Sequence, residues 1–314
     1  MNVLHCLGWL QFVLLATSLA NAVESPTVLS PDPEEPLYAA PTQEDRIGRI
    51  LAPVMVNGQG PFRFMLDTGA NASTVSPLLL HALGLEMTAD AVLKRVHGVT
   101  GTALVPTILI DKLQAGTLIM ENASMPVVDS TINLRAHGIL GVAGLQEARV
   151  FVDFRRDSVV ITRSRVRRED MRGYYVMDAS RVEGGLLAVT AVIRGVRAKA
   201  IIDTGADVTL GNLALRAAIR AKHRRHAEPR VTDVFGATMD VAQGETEVAA
   251  TISIGDISIN HVDVTYGDFH IFDAWNLKDR PAMLIGMDVL GVADALVIDF
   301  RSRQVLVKRS DSRD

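Results

Sequence analysis

Two aspartates, Asp67 and Asp203, are the residues whose surroundings point most directly to chemistry. Each opens an Asp-Thr-Gly-Ala tetrapeptide, and each follows an apolar run, at 62–66 and at 198–202. Such a run predicts a strand that carries its acid into the interior, where Gly permits a tight turn and the Thr hydroxyl can hold that turn through backbone hydrogen bonds. A single Asp-Thr-Gly is usually only a turn. Two copies at equivalent points of a repeat predict two carboxyl groups that work together.

The chemistry of such a pair follows from its electrostatics. Two carboxyl groups in contact do not both ionise readily, so they share a proton and titrate as a pair. The charged partner can take a proton from a water molecule while the protonated partner donates to a carbonyl oxygen. The water then attacks the amide without a covalent enzyme intermediate. Asp67 facing Asp203 therefore predicts hydrolysis of a peptide bond with solvent as the nucleophile.

The sequence patterns of the elements that must position these aspartates also occur twice. The two acids lie 136 residues apart, and each is followed by the same series of patterns in the same order. The series consists of a short helical pattern (77–84 and 213–219), a glycine-bearing turn (97–101 and 234–238), an apolar-apolar-glycine turn (138–141 and 283–286) and a closing strand pair (150–160 and 296–306). Alternating apolar and polar residues between these points predict strands.

This repeat predicts an all-β fold, mainly β with short helices, in which two lobes are related by a pseudo-twofold axis. The boundaries that we predict are a first lobe at 47–163, an interlobe linker at 164–185 and a second lobe at 186–314. On such an axis equivalent loops meet, which would bring Asp67 to Asp203.

The first 22 residues are typical of a cleaved signal peptide. They carry no Asp, Glu, Lys or Arg, and an apolar run leads into the small-x-small sequence Ala20-Asn21-Ala22. An uncleaved anchor is the alternative, although the run is short for a membrane span. We therefore expect an exported protein, periplasmic or secreted, with no stable membrane span once the signal is removed. Residues 23–46, rich in proline and acid, predict an extended tether, with a removable pro-segment as the alternative.

Composition excludes several classes of function. The chain has 314 residues, a formal net charge of −4 and a pI near 6.1, which argue against a protein that mainly binds nucleic acid. Its single cysteine, Cys6, excludes an intramolecular disulfide, a cysteine-based zinc cluster and a thiol protease. We find no metal or cofactor signature and expect none to be needed. The expected partner is a peptide or protein substrate, and the expected state is a monomer.

The paired motifs resemble the aspartic proteases. Asp-Thr-Gly-Ala is more similar to the retropepsin branch than to the pepsin branch, and Asp203-Thr-Gly-Ala-Asp-Val-Thr209 is especially like the retroviral enzymes. The resemblance covers about residues 50–163 and 186–308. It implies a single-chain, bilobed version of a fold that retroviruses build as a homodimer. Signal-bearing tandem proteins of this kind resemble bacterial periplasmic processing proteases.

The resemblance also implies roles for particular residues. The implied catalytic pair is Asp67 and Asp203, and Thr68, Gly69, Thr204 and Gly205 would brace the two loops. The implied substrate-binding residues are Asn71 and Asp207. We expect substrate contacts also from His97, Gly98 and Gly236 in the glycine-bearing turns that would act as flaps, with a solvent-exposed turn histidine as the equal alternative for His97. Neither turn contains the tyrosine of pepsin-like flaps, and the sequence leaves open whether one turn or both are flaps.

One further hypothesis concerns pH, and two concern alternative functions. Ala70 and Ala206 stand where pepsin-like relatives have a hydroxyl that favours the charged carboxylate, so we expect best activity at weakly acid to neutral pH. The protein could instead be a catalytically silent peptide-binding module. It could also be an envelope scaffold whose functional surface is the basic cluster at 216–230, although that cluster also fits a solvated helix end.

Overall fold

Strands dominate the part of the chain that the structure describes. This computed structural model describes residues 50–129, 136–165, 172–223, 228–238, 240–248 and 251–308. All of these lie in one compact unit. The predicted signal peptide and tether fall outside the described residues. Within the described ranges, no helix is both long enough and apolar enough to cross a membrane.

The first lobe is built on a strand pattern visible in the sequence. Residues 51–56 alternate between half-buried and buried positions, with Ala52, Val54 and Val56 directed into the core. The elements of this lobe are β1 (Leu51–Val56), β2 (Gln59–Leu66), β3 (Thr74–Val75), α1 (Pro77–Leu83), β4 (Leu93–His97), β5 (Thr102–Ala115), β6 (Leu118–Pro126) and β7 (Gly138–Leu140). They form one sheet in the order β3-β7-β2-β1-β5-β4, with β6 paired to β5.

Four strands lie between this lobe and the second along the chain. They are β8 (Ala148–Asp153), β9 (Ser158–Arg163), β10 (Tyr174–Asp178) and β11 (Ser180–Arg181). The segment that we predicted as an interlobe linker, 164–185, therefore holds β10, β11 and a 3-10 turn at Glu183–Gly185. Those strands escape a pattern search because they are short and largely exposed.

The second lobe repeats the plan of the first. Its elements are β12 (Leu187–Ile193), β13 (Val196–Ile202), β14 (Leu210–Asn212), α2 (Leu213–Lys222), β15 (Arg230–Phe235), β16 (Val241–Val248), β17 (Ile252–Ile254), β18 (Ile257–Ile259), β19 (Asp263–Gly267), α3 (His270–Ala274), β20 (Ala282–Ile285) and α4 (Met287–Leu290). The sheet order is β15-β16-β19-β14-β20-β13-β12-β17-β18, with β11 paired to β12.

The same local signals begin the first long helix of each lobe. The Ser76 hydroxyl accepts a hydrogen bond from the Leu79 N–H at the start of α1, and Pro77 occupies the first turn. The Asn212 side chain accepts from the Leu215 N–H at the start of α2. Gly84, in the left-handed conformation, ends α1 as its position in the sequence predicts.

The chain closes with β21 (Ala295–Asp299) and β22 (Gln304–Lys308), which complete a sheet shared by both lobes. Its order is β10-β22-β21-β8-β9, and β8 of the first lobe pairs directly with β21 of the second. The two matching sequence endings thus pair with each other instead of closing each lobe separately. This sheet joins the lobes, and the prediction of an all-β, bilobed fold is confirmed.

Candidate active site

The two Asp-Thr-Gly loops occupy equivalent positions in the two sheets. Each follows a strand that pairs in parallel with the strand of the apolar-apolar-glycine turn, β2 with β7 and β13 with β20. The Asp67 N–H donates to the Leu140 carbonyl at 3.1 Å, and the Asp203 N–H donates to the Ile285 carbonyl at 3.0 Å. Each aspartate is therefore held at the end of a buried strand by its own lobe.

The loops are tied to each other by their threonines. The Thr68 hydroxyl donates to the Ile202 carbonyl at 2.7 Å and accepts from the Thr204 N–H at 3.1 Å. The Thr204 hydroxyl does the same in the opposite direction, donating to Leu66 at 2.8 Å and accepting from Thr68 at 3.2 Å. Both threonines are buried, so these four interlobe hydrogen bonds are shielded from competition by water.

The two carboxyl groups meet between the loops, each lying against a glycine of the other lobe. A Cβ added at Gly69 would overlap the Asp203 carboxyl group, and one added at Gly205 would overlap that of Asp67. Both sites therefore require glycine, since any other residue would displace the opposing acid. A hydrogen bond joins the side chains of Asp67 and Asp203.

The electrostatics of this contact favour a shared proton. Burial, with the neighbouring Asp67 charge, raises the pKa of Asp203 well above the ordinary aspartate range. The N–H groups of Gly205 and Ala206 act in the opposite direction because they donate hydrogen bonds to the Asp203 carboxylate. Asp67 is more exposed and accepts from the N–H groups of Gly69 and Ala70 at 2.9 and 2.8 Å.

A cleft of about 820 Å³ runs over the two aspartates and is lined by both lobes. Its roof is formed by the tips of two hairpins, β4–β5 from the first lobe and β15–β16 from the second. The tips touch: the Thr100 and Thr238 hydroxyls lie 3.4 Å apart, and a Cβ at Gly98 would lie 3.0 Å from the Thr238 methyl carbon. Gly236 in turn lies against Thr100. Both predicted glycine-bearing turns therefore cover the cleft.

Comparison with known protein families identifies the family of this chain. The family model described as aspartyl protease matches residues 52–143 and, again, residues 189–289, which together make up more than half of the chain. The chain belongs to the aspartyl protease family. A search of curated proteins finds no match. The two matched segments correspond to the two lobes, as expected for a tandem, retropepsin-like member of this family.

The first of the two hairpins is anchored to the second lobe. In the first hairpin, the His97 Nδ1 lies 3.0 Å from the His270 Nε2 in α3, with the rings stacked at 5.3 Å between centroids. The Ile271 N–H also donates to the Val99 carbonyl at 3.4 Å. The pKa of His97 is lowered, first by burial and then by the charges of His270 and Arg95. His97 thus both lines the cleft and joins the first hairpin to the second lobe.

The residues implied as substrate-binding lie at the cleft edge. Asn71 and Asp207 line the cleft at equivalent loop positions. The carbonyl of Asn71 accepts from the Ala143 N–H at 3.1 Å, and that of Asp207 accepts from the Asp288 N–H at 3.2 Å. Gly98 and Gly236 line the roof between them.

Sequence reasoning missed Asp288, which lines the cleft, and His270, which contacts the first hairpin. Asp288 follows the second apolar-apolar-glycine turn, and its carboxylate accepts from the N–H and the hydroxyl of Thr209 at 2.9 and 2.8 Å. Its equivalent in the first lobe is Ala143, so extending the alignment of the two repeats by two residues beyond the glycine of each turn would have found it. His270 had no sequence signal, because only the fold brings α3 to the first hairpin.

Some residues of the basic cluster at 216–230 form ion pairs within the second lobe. Arg216 is buried and pairs with Glu245 and Glu247, and Arg220 pairs with Glu247 at 2.9 Å. These pairs fasten α2 to β16, which is one strand of the second hairpin. Residues 224–227 lie outside the described residues. Across the described ranges, no cluster of three His, Cys, Asp or Glu side chains could hold a metal ion.

Proposed function

We propose that this protein is an aspartic endopeptidase that hydrolyses peptide bonds with a water molecule activated between Asp67 and Asp203. The observation that carries the proposal is the contact of two carboxyl groups from equivalent loops, one of which has a strongly raised pKa. A pair that holds one proton contains a base and an acid at the same time.

Each side chain has a distinct task in this reaction. The ionised carboxylate of the pair takes a proton from the water, whose oxygen attacks the carbonyl carbon of the peptide bond. The protonated carboxyl donates to the carbonyl oxygen as the tetrahedral species forms. That species then collapses as the C–N bond breaks: the nitrogen takes the proton that the first carboxylate had accepted from water, and a hydroxyl on the tetrahedral carbon returns its proton to the other carboxylate. The interlobe hydrogen bonds of Thr68 and Thr204 keep the two acids in register during these transfers.

The hairpins support binding of an extended peptide. Both tips cover the cleft, so a substrate lying between them and the aspartates would be enclosed by strands from both lobes. We propose that both hairpins act as flaps that open to admit the substrate and exclude bulk water when closed. The substrate-binding positions in this proposal are Asn71, Asp207, His97, Gly98 and Gly236.

We also propose that the protein acts in the cell envelope, as a monomeric processing protease. This part of the proposal rests on the signal-like residues 1–22 and on a charge balance that does not favour nucleic acid. Fractionation of cells that express the full chain, followed by N-terminal sequencing of the purified protein, tests both export and cleavage after residue 22. Intact protein recovered from the cytoplasm would contradict the proposal.

The experiment that tests the catalytic proposal is digestion of a peptide library by the purified protein over a broad pH range. We expect internal cleavage, incorporation of ¹⁸O from labelled water into the new carboxyl group, and loss of both with Asp203→Asn. The matched control is Asp256→Asn, an exposed aspartate in the β17–β18 turn that does not line the cleft. If the wild type binds peptides in this cleft but cleaves none, the protein is the silent peptide-binding module instead.

A further inference from the structure

The two halves of the cleft have similar backbones but opposite charges. The equivalence of positions follows from the strand register: His97 pairs with Thr102 at the end of the first hairpin, and Phe235 pairs with Val241 at the end of the second. Counting back from these pairs, Lys94 and Arg95 in the first lobe correspond to Thr232 and Asp233 in the second.

The aspartate loops and the outer strands of the second lobe are also more negatively charged than those of the first. Asn71 in the first lobe corresponds to Asp207 in the second, and Ala143 corresponds to Asp288. The registers of the outer strands, in which Leu109 pairs with Ser124 and Val248 pairs with Asp263, make Ser124 the equivalent of Asp263. At each of these positions the second lobe carries the more negative side chain.

Opposing charges exist but do not cancel the trend. Arg230 lines the second-lobe side, where its guanidinium lies 3.7 Å from the Asp263 carboxylate. Glu183 lines the first-lobe side, in the 3-10 turn that follows β11. Even with both included, the second-lobe side has four carboxylates against one cation, and the first-lobe side has Lys94 and Arg95 against one carboxylate.

The second lobe also offers a hydroxyl surface that the first lobe lacks. The Thr232 and Thr246 hydroxyls lie 2.7 Å apart, and those of Thr246 and Thr265 also lie 2.7 Å apart. All three residues line the cleft. The equivalents of Thr232 and Thr265 in the first lobe are Lys94 and Pro126, so a polar substrate group finds a chain of hydroxyl partners on one side only.

We infer that the cleft is electrically polarised, so that it holds a peptide with a basic side chain against the second lobe and an acidic side chain against the first. This inference rests on the proposed function for its substrate class, a peptide bound across both lobes. Complementary charges orient a ligand and reject its reversed form, because the reversed form places like charges together. In a pseudo-symmetric cleft, this polarity selects one direction of the chain.

The test uses four versions of one neutral peptide that the protein cleaves. One version has Lys on one side of the scissile bond and Glu on the other, the second exchanges them, and the remaining two replace either charge with Gln. We expect one charge order to exceed its exchange in kcat/KM by about three- to tenfold at low salt. The ratio should fall towards one at about 0.5 M NaCl, because salt screens exposed charges.

Variants that copy the second lobe into the first give the sharpest control. Lys94→Thr reproduces Thr232, and Arg95→Asp reproduces Asp233, so each change introduces a residue that the same fold already holds at the equivalent position. The double variant should cleave both charge orders at similar rates while still cleaving the neutral peptide. The mirror variant Asp207→Asn should weaken the preference for Lys and leave the preference for Glu. Thermal melts show whether each variant is folded.

Failure of this inference is distinguishable from failure of the proposed function. Anisotropy of labelled peptides on Asp203→Asn protein measures the same charge preference without turnover. Cleavage of the neutral peptide together with equal rates for both charge orders would overturn the polarity and leave the protease proposal standing. An unchanged rate ratio in the folded double variant would also overturn it. Polarised binding by a protein that cleaves nothing would support the polarity and contradict the protease proposal.

Discussion

The floor of the cleft, formed by the two aspartate loops, and its roof, formed by the two hairpin tips, differ in their symmetry. In the floor, the loops at Asp67 and Asp203 are held by hydrogen bonds that match atom for atom, because both acids must reach one point on the axis. In the roof, the two hairpins have tips of different length, and only the first has a His97–His270 contact. The difference shows that the interlobe contacts are symmetric at the two aspartate loops and asymmetric at the hairpin tips.

The largest expected effect breaks the symmetric floor. Gly69→Ala and Gly205→Ala each place a methyl group where the opposing carboxyl lies. We expect each change to lower kcat/KM by at least about a hundredfold, since displacement of a catalytic group by about an ångström has effects of that size. Because the two sites are equivalent, steady-state kinetics should give losses of similar size for the two variants. A variant with wild-type kinetics would show that the glycine contact does not position the acids.

The next effect concerns the interlobe threonines. Thr68→Val and Thr204→Val each remove one hydroxyl that both donates and accepts in a buried site. We expect each change to lower the free energy of unfolding by about 2–4 kcal/mol, because buried partners are left without hydrogen bonds. The Thr→Ser variants, which keep the hydroxyl, are the matched controls and should lose much less. Denaturant melts measure the difference, and unequal losses for the two Val variants would contradict the symmetry of the floor.

The sequence predicted the paired aspartate loops of the floor and the two glycine-bearing turns of the roof, but not the contacts that hold the roof in place. Asp67 and Asp203 lie in motifs whose local geometry requires Gly and Thr at fixed positions. The motif can therefore be recognised from the sequence alone. The roof depends on contacts between distant segments, such as His97 with α3 and Thr100 with Thr238. The shared sheet was also hidden, because identical strand patterns do not tell whether two strands pair within a lobe or between lobes.

A smaller effect sharpens the asymmetry of the roof. With a lowered pKa, His97 favours its neutral form, so its contact with His270 contributes stability above the ordinary histidine range and loses it as pH falls through the folded-state pKa. The protection factors of the amides at the β4–β5 tip, which correct the observed hydrogen exchange for its intrinsic rate at each pH, should therefore fall at about pH 5 relative to pH 7.5. The β15–β16 tip should change less.

Substitution separates this contact from general acid effects. His97→Phe retains a ring but cannot be protonated, and it should remove most of the pH dependence at that tip. His81→Gln, on the exposed face of α1, is the matched control. Equal loss of protection at both tips in the wild type would contradict a role for the histidine pair.

The smallest effect concerns stability at the pair itself. Because its folded-state pKa is raised, Asp203 stabilises the fold at low pH, and that stability is lost as pH rises through the folded-state pKa. At neutral pH, Asp203→Asn removes this cost, so we expect its Tm to exceed that of the wild type by about 2–5 °C. The gain should shrink as pH falls towards the ordinary aspartate range. A lower Tm for Asp203→Asn at neutral pH would contradict the raised pKa.

The central claim, that the two aspartates act as one unit, is tested most directly by kcat/KM of Asp67→Asn, Asp203→Asn and the double variant on one peptide at the wild-type pH optimum. We predict that each single variant loses at least about a thousandfold and that the double variant loses little more, because residues that act as a unit are strongly non-additive. We expect that optimum at weakly acid to neutral pH, as the hydroxyl-free Ala70 and Ala206 indicate. A single variant that retains the wild-type rate, or losses that multiply in the double variant, would contradict the claim.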